Sequence, residues 1–188
     1  MRKFVFVGVL VLGLCLAAVA AEDAPTAEVF GGISWLHTDN MGVGGLKSNY
    51  IGWDTEFQYN LRKWLGATAD IGGNYGHLTP DAPNSHIYSF LFGPTLSYRA
   101  HNSTLFVHTL FGANNTNLFM VDDTQVSNTA FALAFGGGAD LKINDTFSLR
   151  VAQVDYLYTR HDFTGIGLKD HQNNIRWSGG IVINLGRK

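Results

Sequence analysis

The chain has 188 residues, a length that suits a single domain. It carries 13 Lys and Arg against 15 Asp and Glu, a formal charge of −2 that excludes the strongly basic surface of a nucleic-acid-binding protein. It contains 22 glycines, 4 prolines and 1 cysteine, so a scaffold held by disulfides is also excluded.

The N-terminus has the parts of a secretory signal peptide. Basic residues precede an apolar run over residues 4–16, and small residues follow it. A transmembrane helix needs about 20 apolar residues, which is more than this run provides. We therefore expect a signal peptide over residues 1–21, cleaved after Ala20 or Ala21, and a mature β-barrel domain over residues 22–188. Cleavage would also remove the cysteine, and with it any thiolate chemistry.

The rest of the chain alternates between apolar and polar residues with a period of two, as strands with two different faces do. The alternation predicts eight strands, near residues 27–38, 48–60, 64–76, 86–99, 104–115, 128–141, 146–158 and 173–185. Short connections follow the second, fourth and sixth strands, whereas longer polar connections span 39–47, 77–85, 116–127 and 159–172. Outer-membrane barrels combine short periplasmic turns with longer extracellular loops. This order predicts an all-β, eight-stranded, antiparallel, up-and-down transmembrane β-barrel with both termini on the periplasmic side.

Alternation alone does not decide which face points outward, because a secreted ligand-binding barrel places its apolar face inside. Glycine and alanine crowd the polar face, which suits the narrow interior of an eight-stranded barrel. After the signal, the lysines lie in connections or at the end of the chain. Because a charge that faces lipid at mid-membrane costs about 2–4 kcal/mol, this placement favours a membrane barrel over a soluble one.

Charged residues fall on the face that we assign to the lumen. The alternation changes phase around Ala152, which predicts a β-bulge that brings the charged residues on both of its sides inward. An unpaired charge in a narrow interior is costly. We therefore predict a lumen ion-pair network of Asp54, Glu56, Asp70, Arg150, Asp155 and Arg176. Arg99 also enters the lumen, with Glu28 and Asp140 nearer the short-turn rim. The network either fastens the barrel or forms a gated ion path.

Other chemistry finds little support in the sequence. The tripeptide His101-Asn102-Ser103 resembles the His-x-Ser of lipid A deacylases, but it falls in a predicted periplasmic turn, away from the leaflet that holds lipopolysaccharide. Histidines near the long-loop rim lack metal-ligand spacing, namely His37, His77, His86, His161 and His171. We expect no catalytic residue, no metal and no cofactor, and we place any ligand binding in the loops.

The whole mature chain resembles the outer-membrane protein β-barrel domain family of the OmpA and OmpX type, which includes small "porin family" proteins of Gram-negative bacteria. The resemblance rests on the alternation, on the phase-shifted segment 150–156, and on the last strand with its alternating Ile183 and Leu185. It implies an outer-membrane protein that contacts lipid and lipopolysaccharide, and the barrel assembly machinery during insertion. Family members commonly end on an aromatic residue, whereas residues 186–188 are Gly-Arg-Lys here.

We expect a non-enzymatic protein of the bacterial outer membrane, with a structural or adhesion role or with ligand binding through its loops. The alternatives are a narrow passive porin-like channel and a lipid-modifying outer-membrane enzyme. Eight strands leave an interior that side chains fill, which favours the first interpretation over a channel. The sequence does not identify a loop ligand.

Overall fold

A computed structural model describes residues 24–39, 48–77, 84–119, 125–163 and 168–186. The expected signal peptide lies outside these residues. The described part is a closed barrel of eight strands: β1 (Ala27–Asp39), β2 (Ser48–Arg62), β3 (Leu65–His77), β4 (Asn84–Ala100), β5 (Ser103–Phe119), β6 (Gln125–Lys142), β7 (Phe147–Phe163) and β8 (Leu168–Leu185). Each strand pairs antiparallel with its chain neighbours, and β1 pairs with β8 to close the barrel. The predicted fold class is therefore confirmed.

None of the residues that the structure describes forms a helix long and apolar enough to cross a membrane.

The strands extend further toward the long-loop rim than the sequence pattern predicts. The largest difference concerns the predicted connection 159–172, which was wrong in extent. There β7 continues to Phe163 and β8 begins at Leu168, and the two strands remain paired throughout. Alternation marks only the part of a strand that has lipid on one side. Residues 159–162 and 169–172 are all polar in sequence and show no alternation, so the ladder of backbone hydrogen bonds continues where the sequence signal has ended.

The outer surface of the barrel is apolar. Its exposed large side chains include Ile33, Ile51, Phe57, Phe90, Phe135, Leu149, Trp177 and Ile181. Aromatic rings mark both ends of this band, with Trp35 and Tyr75 toward the long-loop rim and Tyr59 and Phe147 toward the short-turn rim. An apolar surface this extensive is unsuited to water, whereas it matches the lipid-facing band of an outer-membrane barrel.

The interior contains an apolar tier as well as polar groups. The apolar tier lies toward the long-loop rim and consists of Leu36, Tyr50, Ile87, Leu91, Leu110, Ala132, Ala134 and Leu157. This tier was not predicted from the sequence, because Leu91 lies on the parity that carries small and polar residues in its strand, such as Ser89 and Thr95. The center of an eight-stranded barrel is a packed core rather than a water-filled space, so apolar side chains are tolerated there.

A β-bulge interrupts β7 at the predicted position. On the β6 side, the register shifts between Ala139 and Asp140, which leaves Val151 without a partner. On the β8 side, the register shifts immediately after Arg150. In a regular strand, residues five positions apart point to opposite faces. Because of the extra residue, Arg150 and Asp155 are both buried in the interior.

Candidate functional site

The central charged group of the lumen is the buried side chain of Arg176 on β8. Its guanidinium donates to the two carboxylate oxygens of Asp70 on β3, at 3.1 and 2.5 Å. It also donates to Asp155 on β7 at 2.8 Å and to Asp54 on β2 at 3.2 Å. The second oxygen of Asp54 accepts a hydrogen bond from the hydroxyl of Ser178 at 2.7 Å. One arginine thus connects its own strand to β2, β3 and β7.

A second arginine, Arg150 on β7, lies closer to the short-turn rim. It donates to Glu56 on β2 at 2.5 Å and to Asp140 on β6 at 2.8 and 3.2 Å. The rings of Phe30 and Phe106 lie 4.3 and 4.2 Å from its guanidinium carbon, measured to the ring centroids. The guanidinium therefore has carboxylates at its edge and aromatic rings against it, the arrangement that favours a buried arginine.

Gln153 joins the two arginine clusters into one network. Its side-chain nitrogen donates to Glu56 at 2.7 Å and to Asp155 at 3.0 Å, while its oxygen accepts from Arg150 at 2.6 Å. His108 on β5 completes the group, with Nε2 at 2.7 Å from Oδ1 of Asp155. The network therefore joins side chains from β2, β3 and β5 to β8, and its carboxylates and guanidiniums pair with one another, whereas Nδ1 of His108 is buried without a hydrogen-bond partner.

A third cluster lies at the short-turn rim. Arg99 contacts the carboxylate of Glu28 and donates to the backbone carbonyl of Lys63 at 3.2 Å. Beside this pair, a cavity of about 270 Å³ opens at the short-turn end of the barrel, and Asp140 and Lys142 also line it. The polar part of the interior is thus accessible from the short-turn end, whereas the apolar tier lies between it and the long-loop rim.

The structure places every residue of the predicted lumen network inside the barrel and brings them together as Asp54, Glu56, Asp70, Arg150, Asp155 and Arg176. The role of the network stays a prediction. Gln153 and His108 were not predicted from the sequence. Gln153 lies inside the predicted bulge, which could have indicated it. His108 had no clear signal, because its strand carries apolar residues on both faces.

Three carboxylates of the network also have the spacing of a metal site. One oxygen from each of Asp54, Glu56 and Asp70 lies within 4.8 Å of the others, a spacing that suits a metal ion. These carboxylates already accept hydrogen bonds from Arg150 and Arg176, so a cation would have to displace a guanidinium.

The tripeptide 101–103 lies at the turn between β4 and β5, as predicted. The side chains of three rim histidines lie outside the described part: His77, His161 and His171.

Solved structures similar to this one are outer-membrane proteins. Neisserial surface protein A is 12% identical, with 87% of this chain and 100% of that chain covered and a TM-score of 0.68. Ail, the attachment invasion locus protein of Yersinia pestis, is 16% identical, with 88% and 99% covered and a TM-score of 0.58. OprG from Pseudomonas aeruginosa is 11% identical, with 89% and 99% covered and a TM-score of 0.51. At these identities the similarity shows the fold.

None of the curated protein sequences matches the chain. The family model for the outer membrane protein beta-barrel domain matches residues 6–186, nearly the whole chain. This match confirms the resemblance found in the sequence, and together with the solved barrels it indicates the bacterial outer membrane as the location. The chain therefore belongs to the outer membrane protein beta-barrel domain family, as this match, the strand order and the apolar outer surface show.

Proposed function

We propose that the protein is a non-enzymatic surface barrel that acts through its extracellular rim and loops, in adhesion or in another binding role that supports the cell envelope. One observation carries this proposal: beyond the cavity at the short-turn end, side chains fill the described interior. The arginines of the lumen are engaged by carboxylates, and the apolar tier lies between them and the long-loop rim. Binding residues are commonly placed on loops that a rigid scaffold holds.

The names of the similar structures support this role. Ail is an attachment protein by name, and it has been solved in complex with the heparin analogue sucrose octasulfate. For this chain we propose only the general mode of action, which is attachment by the exposed end of a small barrel.

We also propose how the protein reaches the membrane. Residues 1–21 are removed on export, and residues 22–188 form the inserted domain. The barrel assembly machinery inserts this domain next to lipid and lipopolysaccharide.

The test compares bacteria that display the wild-type barrel with bacteria that display a loop variant. In the variant, residues 78–83 and 120–124 are replaced by Gly-Ser segments of equal length. The control carries His101→Gly in the turn between β4 and β5. We expect the loop variant alone to lose adhesion to immobilised heparin and to an epithelial monolayer, at equal amounts of folded barrel. Equal adhesion by all three strains and by cells without the barrel would overturn the proposal.

A narrow passive channel is the second candidate, and the open cavity at the short-turn end favours it. Polar groups continue from that cavity to Arg150 and then to Arg176. The path would have to pass the apolar tier to reach the extracellular side, and dry apolar constrictions oppose ion passage. Single-channel recording therefore distinguishes the two functions.

A further inference from the structure

We propose that the outer surface of β1 to β4 near the long-loop rim binds the sugar headgroup of a glycolipid in the outer leaflet. We call this surface the aromatic patch, and it consists of Trp35, His37, Trp53, Tyr75, His86 and Tyr88. The inference goes beyond the proposed loop-mediated function, because the patch lies on the strands themselves and faces the membrane rather than the medium.

A chain of polar contacts crosses three strands of the aromatic patch. The indole nitrogen of Trp53 on β2 donates to the hydroxyl of Tyr75 on β3 at 3.2 Å. That hydroxyl lies 3.5 Å from the hydroxyl of Tyr88 on β4. Two phenol protons are available in this chain, and the contact between the two hydroxyls uses only one of them. Whichever tyrosine donates, the other retains a proton that can be donated to an external oxygen.

Gly73 makes room for the indole ring at the centre of the patch. Gly73 lies opposite Trp53 on one side and opposite Tyr88 on the other. A Cβ atom at this position would lie 2.9 Å from atoms of the indole of Trp53. The indole therefore lies directly over a residue without a side chain, within reach of Tyr75. This close fit makes the exposed ring a fixed platform, with Trp53 40% exposed and Tyr75 37% exposed.

The rest of the patch adds further rings and polar atoms. The rings of Trp35 and His37 stack at 5.9 Å, and Nδ1 of His37 lies 2.8 Å from Oδ1 of Asn49. The ring of His86 meets the ring of Tyr75 edge-on at 5.3 Å. The surface therefore offers flat aromatic faces beside hydroxyl, amide and imidazole groups. A sugar ring has the matching chemistry, since it carries apolar C–H faces and a rim of hydroxyls.

Two further features favour contact with the sugar of a glycolipid over contact with a phosphate group. Within the described residues, the halves of β1 to β4 that lead to the long-loop rim carry no Lys or Arg to pair with phosphate. Toward mid-membrane, Ile33 and Ile71 continue the patch and are 75% and 42% exposed. An acyl chain would lie against these isoleucines while its sugar headgroup contacts the rings above them. The long-loop rim is the side of the outer leaflet.

The ring-to-ring contacts of the patch lie on β1, β3 and β4, near the long-loop rim. On the opposite flank, the comparable contacts are Asn115 to Thr129 at 2.8 Å and Tyr156 to Asn173 at 2.5 Å. Exposed rings also lie on that flank, Tyr156 and Trp177 among them, so the patch is defined by the contacts among its rings and hydroxyls and not by where aromatic residues occur. The Tyr156 to Asn173 contact supplies a matched control for mutation.

The experiment uses the full mature barrel in nanodiscs of phosphatidylethanolamine and phosphatidylglycerol, with and without rough lipopolysaccharide. The amount of lipopolysaccharide retained per barrel is measured by native mass spectrometry, and the indole N–H signals are followed by NMR. We expect Trp53→Ala and Tyr75→Phe to reduce retention about three- to tenfold, as the loss of one aromatic or hydrogen-bonding contact predicts. The control Tyr156→Phe should retain as much as the wild type.

Gly73→Ala provides a second variant in case Trp53→Ala folds poorly. It keeps every ring but displaces the indole, and we expect it to reduce retention and to shift the Trp53 signal even without lipopolysaccharide. Equal retention by the wild type, Gly73→Ala and Tyr75→Phe would overturn the proposal. So would an indole signal of Trp53 that does not respond to lipopolysaccharide. Neither result bears on loop-mediated adhesion, so the two proposals fail separately.

Discussion

Arg176 and Asp70 lie 106 positions apart in the chain, yet two guanidinium nitrogens of Arg176 donate to the two carboxylate oxygens of Asp70. Their strands, β8 and β3, are not neighbours in the closed sheet, so this bidentate pair crosses the lumen. A bidentate arginine–carboxylate pair fixes orientation as well as distance. It joins two walls of the barrel that the ladders of backbone hydrogen bonds do not connect directly.

Replacing this arginine should destabilise the barrel strongly. We expect Arg176→Met to lower the free energy of unfolding by about 3–5 kcal/mol, because it leaves the buried carboxylates of Asp54, Asp70 and Asp155 without their shared cation. The measurement is urea-induced unfolding in lipid vesicles. The double variant Arg176→Met/Asp70→Asn should recover part of the loss, because one of the unpaired charges is removed with its partner.

The matched control is an ion pair on the surface. Lys142 and Asp145 form a pair at 3.1 Å in which the side chains are 43% and 64% exposed. Because exposed pairs contribute about 0–1 kcal/mol, Lys142→Met should change the unfolding free energy little. A loss for Lys142→Met as large as that for Arg176→Met would contradict a stabilising role of the lumen network.

Arg150 should not tolerate lysine. Arg150→Lys keeps the charge, but one ammonium group cannot reproduce the donors that reach both Glu56 and Asp140, nor the planar contact with Phe30 and Phe106. We expect the folded band on a gel to convert to the unfolded band at a lower temperature than the wild type. Arg150→Ala should convert at a lower temperature still. An unchanged conversion temperature for Arg150→Ala would refute the fastening role.

Two glycines should respond differently to alanine. A Cβ atom on Gly136 would lie 2.0 Å from a carboxylate oxygen of Asp155 and 2.4 Å from the carbonyl of Val154. We expect Gly136→Ala to destabilise the barrel by about 1–3 kcal/mol, the usual cost of overpacking. A Cβ on Gly31 would meet nothing within 4 Å, so Gly31→Ala is the control and should change stability by less than about 0.5 kcal/mol. Chemical denaturation of both variants is the measurement, and equal losses would contradict the packing argument.

The bulge should be essential for folding. Deleting Val151 makes β7 regular, which places Arg150 and Asp155 on opposite faces of the strand. One of them would then face lipid, at a cost of up to about 2–4 kcal/mol in addition to the broken network. We expect the deletion variant not to form a compact, heat-modifiable band. The substitution Val151→Ala keeps the extra residue and should fold, since this side chain is exposed on the outer surface. A folded deletion variant would show that the bulge is dispensable.

The wild-type barrel should not conduct ions. We expect no discrete conductance steps from the wild type in a planar bilayer, because the apolar tier excludes water from the path. The double variant Leu91→Ser/Leu110→Ser introduces hydroxyls into that tier and should show measurable current. Regular steps from the wild-type barrel would instead favour the channel function.

Much of the charged lining of the lumen could be predicted from the sequence alone, for a physical reason. Lipid requires one face of every strand to be apolar, so Asp54, Glu56 and Asp70 had to point inward in a membrane barrel. The bulge was predictable because the phase of the alternation changes within residues 150–156. The apolar tier and His108 were not predictable in this way, because the interior accepts both apolar side chains and paired polar groups, and the pattern does not distinguish them.

By itself, the sequence determined the number of strands, their antiparallel order and the face that meets lipid. These are local properties, because a period of two and the solvent on each side act on consecutive residues. Only the tertiary structure decided which charges pair, how far the strands continue beyond the apolar band, and that rings from three strands meet at Gly73. Pairing across the lumen depends on the closure and stagger of the barrel, which bring Asp70 to Arg176 from distant parts of the chain.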